Sequence, residues 1–258
     1  MAYKYIILEK DEHVAKITLN RPDQMNTFTP ELAKEFIDAL ADCEQDEQIR
    51  VLIVKGAGKA FCAGLDLSEF GSKTPMGYQE WITGMDKMYV VIATMKKPVI
   101  AAVHGSALAT GAGLVAACDL AIAAEGSRFG QTAINVGLFC MGPSVPLLRT
   151  LGTKRSLGLL LTGDIIDAHE AERIGLINKV VEADNLEKEA MELAEKLAKK
   201  SPVALQMGKR AFYTMSDMEF TKAIKYTGEA FAALCATEDA KEGVNAFLNK
   251  REPNWRGK

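Results

Sequence analysis

Two short runs set the strongest constraint on the fold. Val51-Leu52-Ile53-Val54 and Val99-Ile100-Ala101-Ala102-Val103 are apolar at every position, with no polar alternation. A strand with one solvated face alternates, and one covered on both faces does not. Each run is followed by a glycine-bearing turn, Gly56–Gly64 and Gly105–Gly111, and then by a helical pattern. Buried strands alternating with helices predict an α/β architecture.

The rest of the chain reads around these strands. Tyr5–Leu8 and Val14–Leu19 form a predicted hairpin, with Ile17 and Leu19 on one face and Thr18 on the other. Asn20-Arg21-Pro22-Asp23 is a turn. Thr29 and Pro30 open a helix as N-cap and first residue, with Leu32, Phe36, Ile37 and Leu40 as its apolar face. Residues 75–96 read as a helix rich in Met and aromatics (Met76, Tyr78, Trp81, Met85, Met88, Tyr89), ended by Lys97-Pro98. A short helix runs from about Thr110 to Cys118, and Asp119–Ala123 is a further strand. From about residue 144 helices dominate. Asn185–Lys200 is expected to carry an Asp184 cap, a capping box closed by Glu187, and a stripe of Leu186, Ala190, Leu193 and Leu197. Ala223–Ala236 and Ala240–Asn249 complete a helical C-terminal section, and no linker divides it from the core.

Composition enters as a filter. With 31 basic and 34 acidic residues among 258, the net charge is −3. A general nucleic-acid binder is usually basic, so that class is not expected. The apolar stretches fall short of the ~20 residues that span a bilayer, so no membrane partner is expected. Met1-Ala2-Tyr3-Lys4 carries no signal-peptide pattern, and the expected location is cytoplasmic. Cys43, Cys62, Cys118, Cys140 and Cys235 are dispersed and odd in number, and His13, His104 and His169 stand apart. Neither set has metal-ligand or disulfide spacing, so no metal is expected.

Three chemistries compete for the glycine loops. Gly56-Ala57-Gly58-Lys59-Ala60 lacks the first glycine and the final Ser/Thr of a phosphate-binding loop. Gly111-Ala112-Gly113-Leu114-Val115-Ala116 matches a dinucleotide-binding pattern, with Glu125 downstream, but Gly105–Thr110 intervene after the strand. A third reading joins two loops: backbone N–H groups near Gly64-Leu65 and Thr110-Gly111 converge on one carbonyl oxygen, with a helix dipole adding positive potential. Glycines that simply make tight turns remain an alternative to it.

The order of several longer motifs adds a resemblance. Ile17-Thr18-Leu19-Asn20-Arg21-Pro22 with Asn26, Ala60-Phe61-Cys62-Ala63-Gly64-Leu65-Asp66-Leu67, Lys97–Gly105, Cys118-Asp119, Phe129-Gly130-Gln131-Thr132 and Ser201-Pro202 resemble the enoyl-CoA hydratase/isomerase (crotonase) superfamily over nearly the full length. The resemblance implies a spiral of repeated ββα units over residues 1–200 holding an acyl-CoA site. It implies a helical section over 201–258 that builds trimers or dimers of trimers. It also implies an acyl-CoA thioester substrate and no separate cofactor. By motif position the Leu65 and Thr110 N–H groups are the oxyanion donors, and Gln24, Met25, Ala63, Leu65, Asp66, Leu67 and Thr110 line the substrate channel.

The departures from that pattern concern proton transfer. Hydratases of this type place glutamates at the positions of Gly113 and Ala133, and isomerase relatives place a carboxylate near Met141. All are absent here, which argues against two-glutamate hydration. The expected activity is an unconventional hydration, isomerisation, decarboxylation or hydrolysis. A silent acyl-CoA-binding subunit and a dinucleotide-binding oxidoreductase are the alternatives. Cys140 is a candidate acid, base or nucleophile, and Gln131 could position water or a substrate carboxylate. Asp66 is the only acid expected near the site, either there or as the cap of a following helix. His104 is expected to be structural, the 76–89 stretch to be core or pocket wall, and Lys209 and Arg210 to meet CoA phosphates or solvent.

Overall fold

The computed structural model describes residues 3–68 and 70–258. Its main sheet has six strands in the order β1 (Ile6–Asp11), β2 (Val14–Leu19), β3 (Val51–Gly56), β4 (Val99–Val103), β6 (Leu120–Ala124), β9 (Lys179–Val181). Only β1 and β2 pair antiparallel, and the remaining neighbours are parallel. A second sheet joins β5 (Ser106–Leu108), β7 (Arg128–Gly130) and β8 (Ile165–Asp167). β4 and β6 are each followed by a short strand and then by a helix. β4 leads to β5 and α3 (Thr110–Ala117), and β6 to β7 and α4 (Met141–Thr162). β3 leads to an isolated bridge at Cys62 and then to α2 (Pro75–Thr94). This is the ββα repeat. The three-residue strands escaped the sequence reading because they are too short to show a period.

The continuous apolar runs are covered on both sides as expected. Leu52 and Val54 face a core shared with α1 (Pro30–Gln45) and α2, which also holds Phe36, Leu40, Met85, Met88 and Ile92. Val51, Ile53, Ile100 and Ala102 face the opposite way, onto α6 (Leu186–Ala198). Thr29 caps α1 by accepting from the Leu32 N–H at 3.2 Å.

The start of α6 differs from expectation. Ala183–Asn185 form a 3₁₀ turn, so Asp184 lies inside it, and no side chain caps the helix. Its buried stripe is Leu186, Ala190, Ala194 and Ala198, while Leu193 and Leu197 are half-buried. The small residues let the helix lie close on the sheet, which a leucine stripe would prevent. α5 (Ala168–Ile174) precedes β9. After residue 200 come α7 (Pro202–Met215), α8 (Phe220–Cys235) and α9 (Glu238–Leu248). α7 and α8 bury no residue, and Phe212, Phe220, Ile224, Phe231 and Phe247 are exposed. No described helix is long and apolar enough to cross a membrane.

Candidate functional site

Three loops meet at one end of the sheet because their backbones lock together. The Cys62 N–H donates to Ser106 O at 3.0 Å, and the Leu108 N–H to Cys62 O at 2.9 Å, so the first glycine loop runs alongside β5. A Cβ on Gly64 would lie 3.2 Å from the Ala109 Cβ, and one on Gly111 would overlap the Cys62 carbonyl. Side chains at these two glycines would separate the loops. Asn26 clamps the approach from behind: its amide donates to Ala57 O and Ala60 O, both at 2.8 Å, and accepts from the Arg21 N–H at 2.8 Å. Ala109 holds φ +48° at the turn into α3, a backbone conformation that costs a non-glycine residue about 1–3 kcal/mol and clusters at functional turns. The Leu65 and Thr110 N–H groups donate to no acceptor among the described residues, and both residues line the same cavity. Thr110 opens α3, where helix N–H groups lack intrahelical partners.

That cavity has a volume of about 370 Å³. Ala63, Leu65 and Leu67 form one wall, Tyr78, Trp81, Ile82 and Asp86 of α2 a second, and Thr132–Pro143 much of a third. Apolar side chains dominate, as in a pocket built for an apolar ligand with a few placed polar groups. Gln24, Met25, Asp66 and Gln131 are outside its lining. Gln24 is exposed in a 3₁₀ turn, and Met25 is 42% exposed and held to the first loop by the Ala63 N–H. Gln131 is buried, and neither amide atom has a hydrogen-bond partner among the described residues.

Asp86 is the only charged side chain among the described lining residues. It is half-buried, and its carboxylate has no hydrogen-bond or ion-pair partner there. Burial pushes the carboxyl from the usual carboxylate range up to about 6. Both oxygens lie against Gly142, where any Cβ would overlap them. The expectation that Asp66 is the only acid near the site is thereby corrected. The sequence did hold a signal: Tyr78, Ile82, Asp86 and Tyr89 share one helical stripe, and a lone acid on an apolar stripe of a core helix is anomalous.

Asp66 does something else. No helix starts beside it, since α2 begins at Pro75 with Thr74 as its cap. Its carboxylate accepts from Arg21 Nη2 at 2.8 Å and from the Ser68 N–H at 3.0 Å, and hydrogen bonding from the Ser68 side chain, then from Arg21 and the Ser68 backbone, holds the carboxyl down at about 2. Arg21 also donates to Thr27 O. The cap reading of Asp66 is replaced by a loop-fastening ion pair.

The other candidates sort by environment. Cys140 lines the cavity and is buried, and burial raises its thiol, with a backbone hydrogen bond at Ala133 offsetting part of the effect. A thiol held protonated is a poor nucleophile. His104 Nε2 donates to Gly58 O at 3.0 Å. Lys209 is not free for a phosphate: it pairs with Asp119 at 2.6 Å and donates to Lys97 O at 2.9 Å, while Arg210 is exposed. Asp119 also accepts from the Tyr213 hydroxyl and the Val99 N–H, so this network ties α7 to the sheet. It borders a larger hollow of about 670 Å³.

The pattern Gly111-Ala112-Gly113 has a packing explanation. Gly111 abuts Cys62, and a Cβ on Gly113 would lie 2.7 Å from the Pro143 Cβ and 2.9 Å from the Tyr89 hydroxyl. No crevice is left at these glycines for a pyrophosphate, and no room for a carboxylate side chain at Gly113. Ala133, by contrast, lines the cavity. Among the described residues no group of three or more His, Cys, Asp or Glu side chains could hold a metal ion.

Known proteins are similar to this chain in sequence and fold. The family model described as enoyl-CoA hydratase/isomerase matches residues 9–258. A crotonyl-CoA hydratase of Syntrophomonas wolfei is 37% identical over 257 residues, 99% of each chain. The crystal structure of an enoyl-CoA hydratase from Mycobacterium smegmatis superposes with a TM-score of 0.95 at 36% identity, covering 98% of this chain and 99% of that one. Human enoyl Coenzyme A hydratase domain-containing protein 3 superposes at 0.94 with 33% identity, covering 98% and 100%.

Proposed function

Because the chain belongs to the enoyl-CoA hydratase/isomerase family, we propose that its cavity binds the acyl group of a 2-enoyl-CoA thioester and hydrates it. In this reading the Leu65 and Thr110 N–H groups receive the thioester oxygen as negative charge develops on it. The observation that carries the reading is their lack of acceptors among the described residues, on two residues that line an apolar cavity of about 370 Å³. Each such donor contributes roughly 3–4 kcal/mol to the transition state. The α3 dipole adds to the potential at Thr110. The segments at Gln24-Met25 and Leu65–Ser68 flank the route that the CoA moiety would take. The thioester itself supplies the electron sink, so the proposal involves no further cofactor.

The chemistry proceeds without the glutamate pair of the relatives the sequence resembles, because Gly113 has no space for one and Ala133 carries none. The exposed apolar side chains of α7–α9 suit burial between copies of the chain, as a trimer or paired trimers. Four of the five free cysteines are buried and all are unpaired, which fits a reducing cytoplasm.

Calorimetry with acetyl-CoA and with NAD separates the reading from its alternatives. Acetyl-CoA is expected to bind and NAD not. Crotonyl-CoA turnover, followed by mass, is expected to yield the hydrated product. Binding without turnover of any enoyl-CoA in a chain-length panel would mark a silent acyl-CoA-binding subunit instead.

A further inference from the structure

Gly142 has no side chain in the place where the Asp86 carboxylate rests, and the two residues belong to different helices. The acid is therefore seated, with both oxygens against α4, and it is left without a partner. It is also tied to the proposed oxyanion donors. Tyr89, one turn further along α2, donates its hydroxyl to Thr110 O at 3.3 Å, so the helix that carries Asp86 is fastened to Thr110, which lines the same cavity. Two titratable groups near it hold their protons: burial raises the Tyr89 hydroxyl well above its usual value and raises the Cys140 thiol. An unpartnered acid in an apolar cavity costs folding energy, and its removal would relieve that cost. Its presence points to chemistry.

We propose that Asp86 is the catalytic residue that moves the proton, working alone where the relatives the sequence resembles use a pair of glutamates. The proposal rests on the acyl-CoA reading above. As water adds to Cβ, the carboxylate takes one of its protons and the hydroxide oxygen bonds to carbon. The C=C electron pair shifts to Cα and into the thioester, whose oxygen is held by the Leu65 and Thr110 N–H groups. The enolate then re-forms the carbonyl, and Cα takes the proton back from the Asp86 carboxylic acid. Water has been added across the double bond, and the carboxylate is restored for the next turnover. One group serving both transfers delivers hydroxyl and proton to the same face of the acyl chain.

The test is kinetic, on the full chain, with crotonyl-CoA in D₂O and mass detection of deuterium at Cα. Asp86→Asn keeps the shape and is expected to lower kcat by roughly 10²–10⁴-fold, with KM and acetyl-CoA affinity within a few-fold of wild type. Gly142→Ala keeps the acid but pushes it out of its seat, and is expected to lower kcat while binding persists. The wild-type kcat/KM profile is expected to fall on the acid side of about pH 6, as the carboxylate becomes protonated. The titratable groups nearest Asp86 are Tyr78 and Cys140, which line the same cavity, and Tyr89, one turn further along α2, whose hydroxyl feels the Asp86 charge. No described cation lines the cavity to mask that limb. Retention of turnover by Asp86→Asn within about threefold of wild type would overturn the assignment. So would a wild type that binds acetyl-CoA yet neither hydrates crotonyl-CoA nor exchanges the Cα protons of butyryl-CoA into D₂O, and in that case the acyl-CoA reading survives. Absence of acetyl-CoA binding removes both.

Discussion

Asp66 and Asp86 flank the same loop cluster, and their surroundings push them in opposite directions. Asp66 sits at the rim with Ser68 and an arginine, and its carboxyl is held at about 2. Asp86 lines the apolar cavity with no partner, and its carboxyl rises to about 6. The first is a fastener: its charge is permanent at neutral pH and is spent on holding Arg21 to the Leu65 loop. The second exchanges a proton near neutrality, the range in which a general base is effective. Residue type alone does not separate the two roles; solvation and partners do.

The largest effect on stability is expected from breaking the rim. Asp66→Ala leaves the Arg21 guanidinium, 12% exposed as a side chain, without its carboxylate. A loss of about 1–2 kcal/mol follows, read as a melting temperature lower by roughly 3–6 °C. The pH sense is fixed by the depressed folded value. The Asp66 contribution is fully present above the unfolded carboxylate range and disappears as pH falls from about 4 towards 2. An unchanged melting temperature would show that the ion pair is no fastener.

The opposite sign is expected at Asp86. Its folded value lies above the unfolded one, so its ionised form costs stability as pH rises through about 6. Asp86→Asn is therefore expected to stabilise the chain by about 1 kcal/mol at pH 8, after allowance for solvent screening. The difference should vanish below about pH 4. Thermal melts of the two proteins at both pH values measure it. A destabilised variant at pH 8 would mean that Asp86 has a structural partner.

The smallest effect sharpens the contrast. Ala133→Glu places a second carboxylate on the wall of the cavity that Asp86 lines. Like charges disfavour joint ionisation, so the acid limb of the kcat/KM profile is expected to move up by about 0.5–1 pH unit. A stationary limb would place the two groups out of electrostatic reach.

Much of this molecule is legible in local sequence. The unbroken apolar runs at 51–54 and 99–103 announced two-sided strands, and the Thr29-Pro30 start of α1 was read to the residue. The loops carrying Leu65 and Thr110 were visible as glycine-bearing turns. β5, β7, β8 and β9 were not, because three residues show no period and are extended only by pairing with distant partners. The start of α6 was misjudged because Asp184 and Glu187 satisfy the letter of a capping box while the chain enters through a 3₁₀ turn.

The site divides in the same way. Sequence by itself determined the covered sheet, the positions of the glycine loops, and the absence of acids at Gly113 and Ala133, since each depends on residue type and near neighbours. Only the tertiary structure decided which of the 34 acids matters. Asp86 acquires its place from Gly142, its raised carboxyl from burial, and its alignment from the bond between Tyr89 and Thr110. Thr110 and Gly142 lie far from Asp86 along the chain. Solvation and charge act through space, so the apolar stripe of α2 marks Asp86 as anomalous but does not set its surroundings.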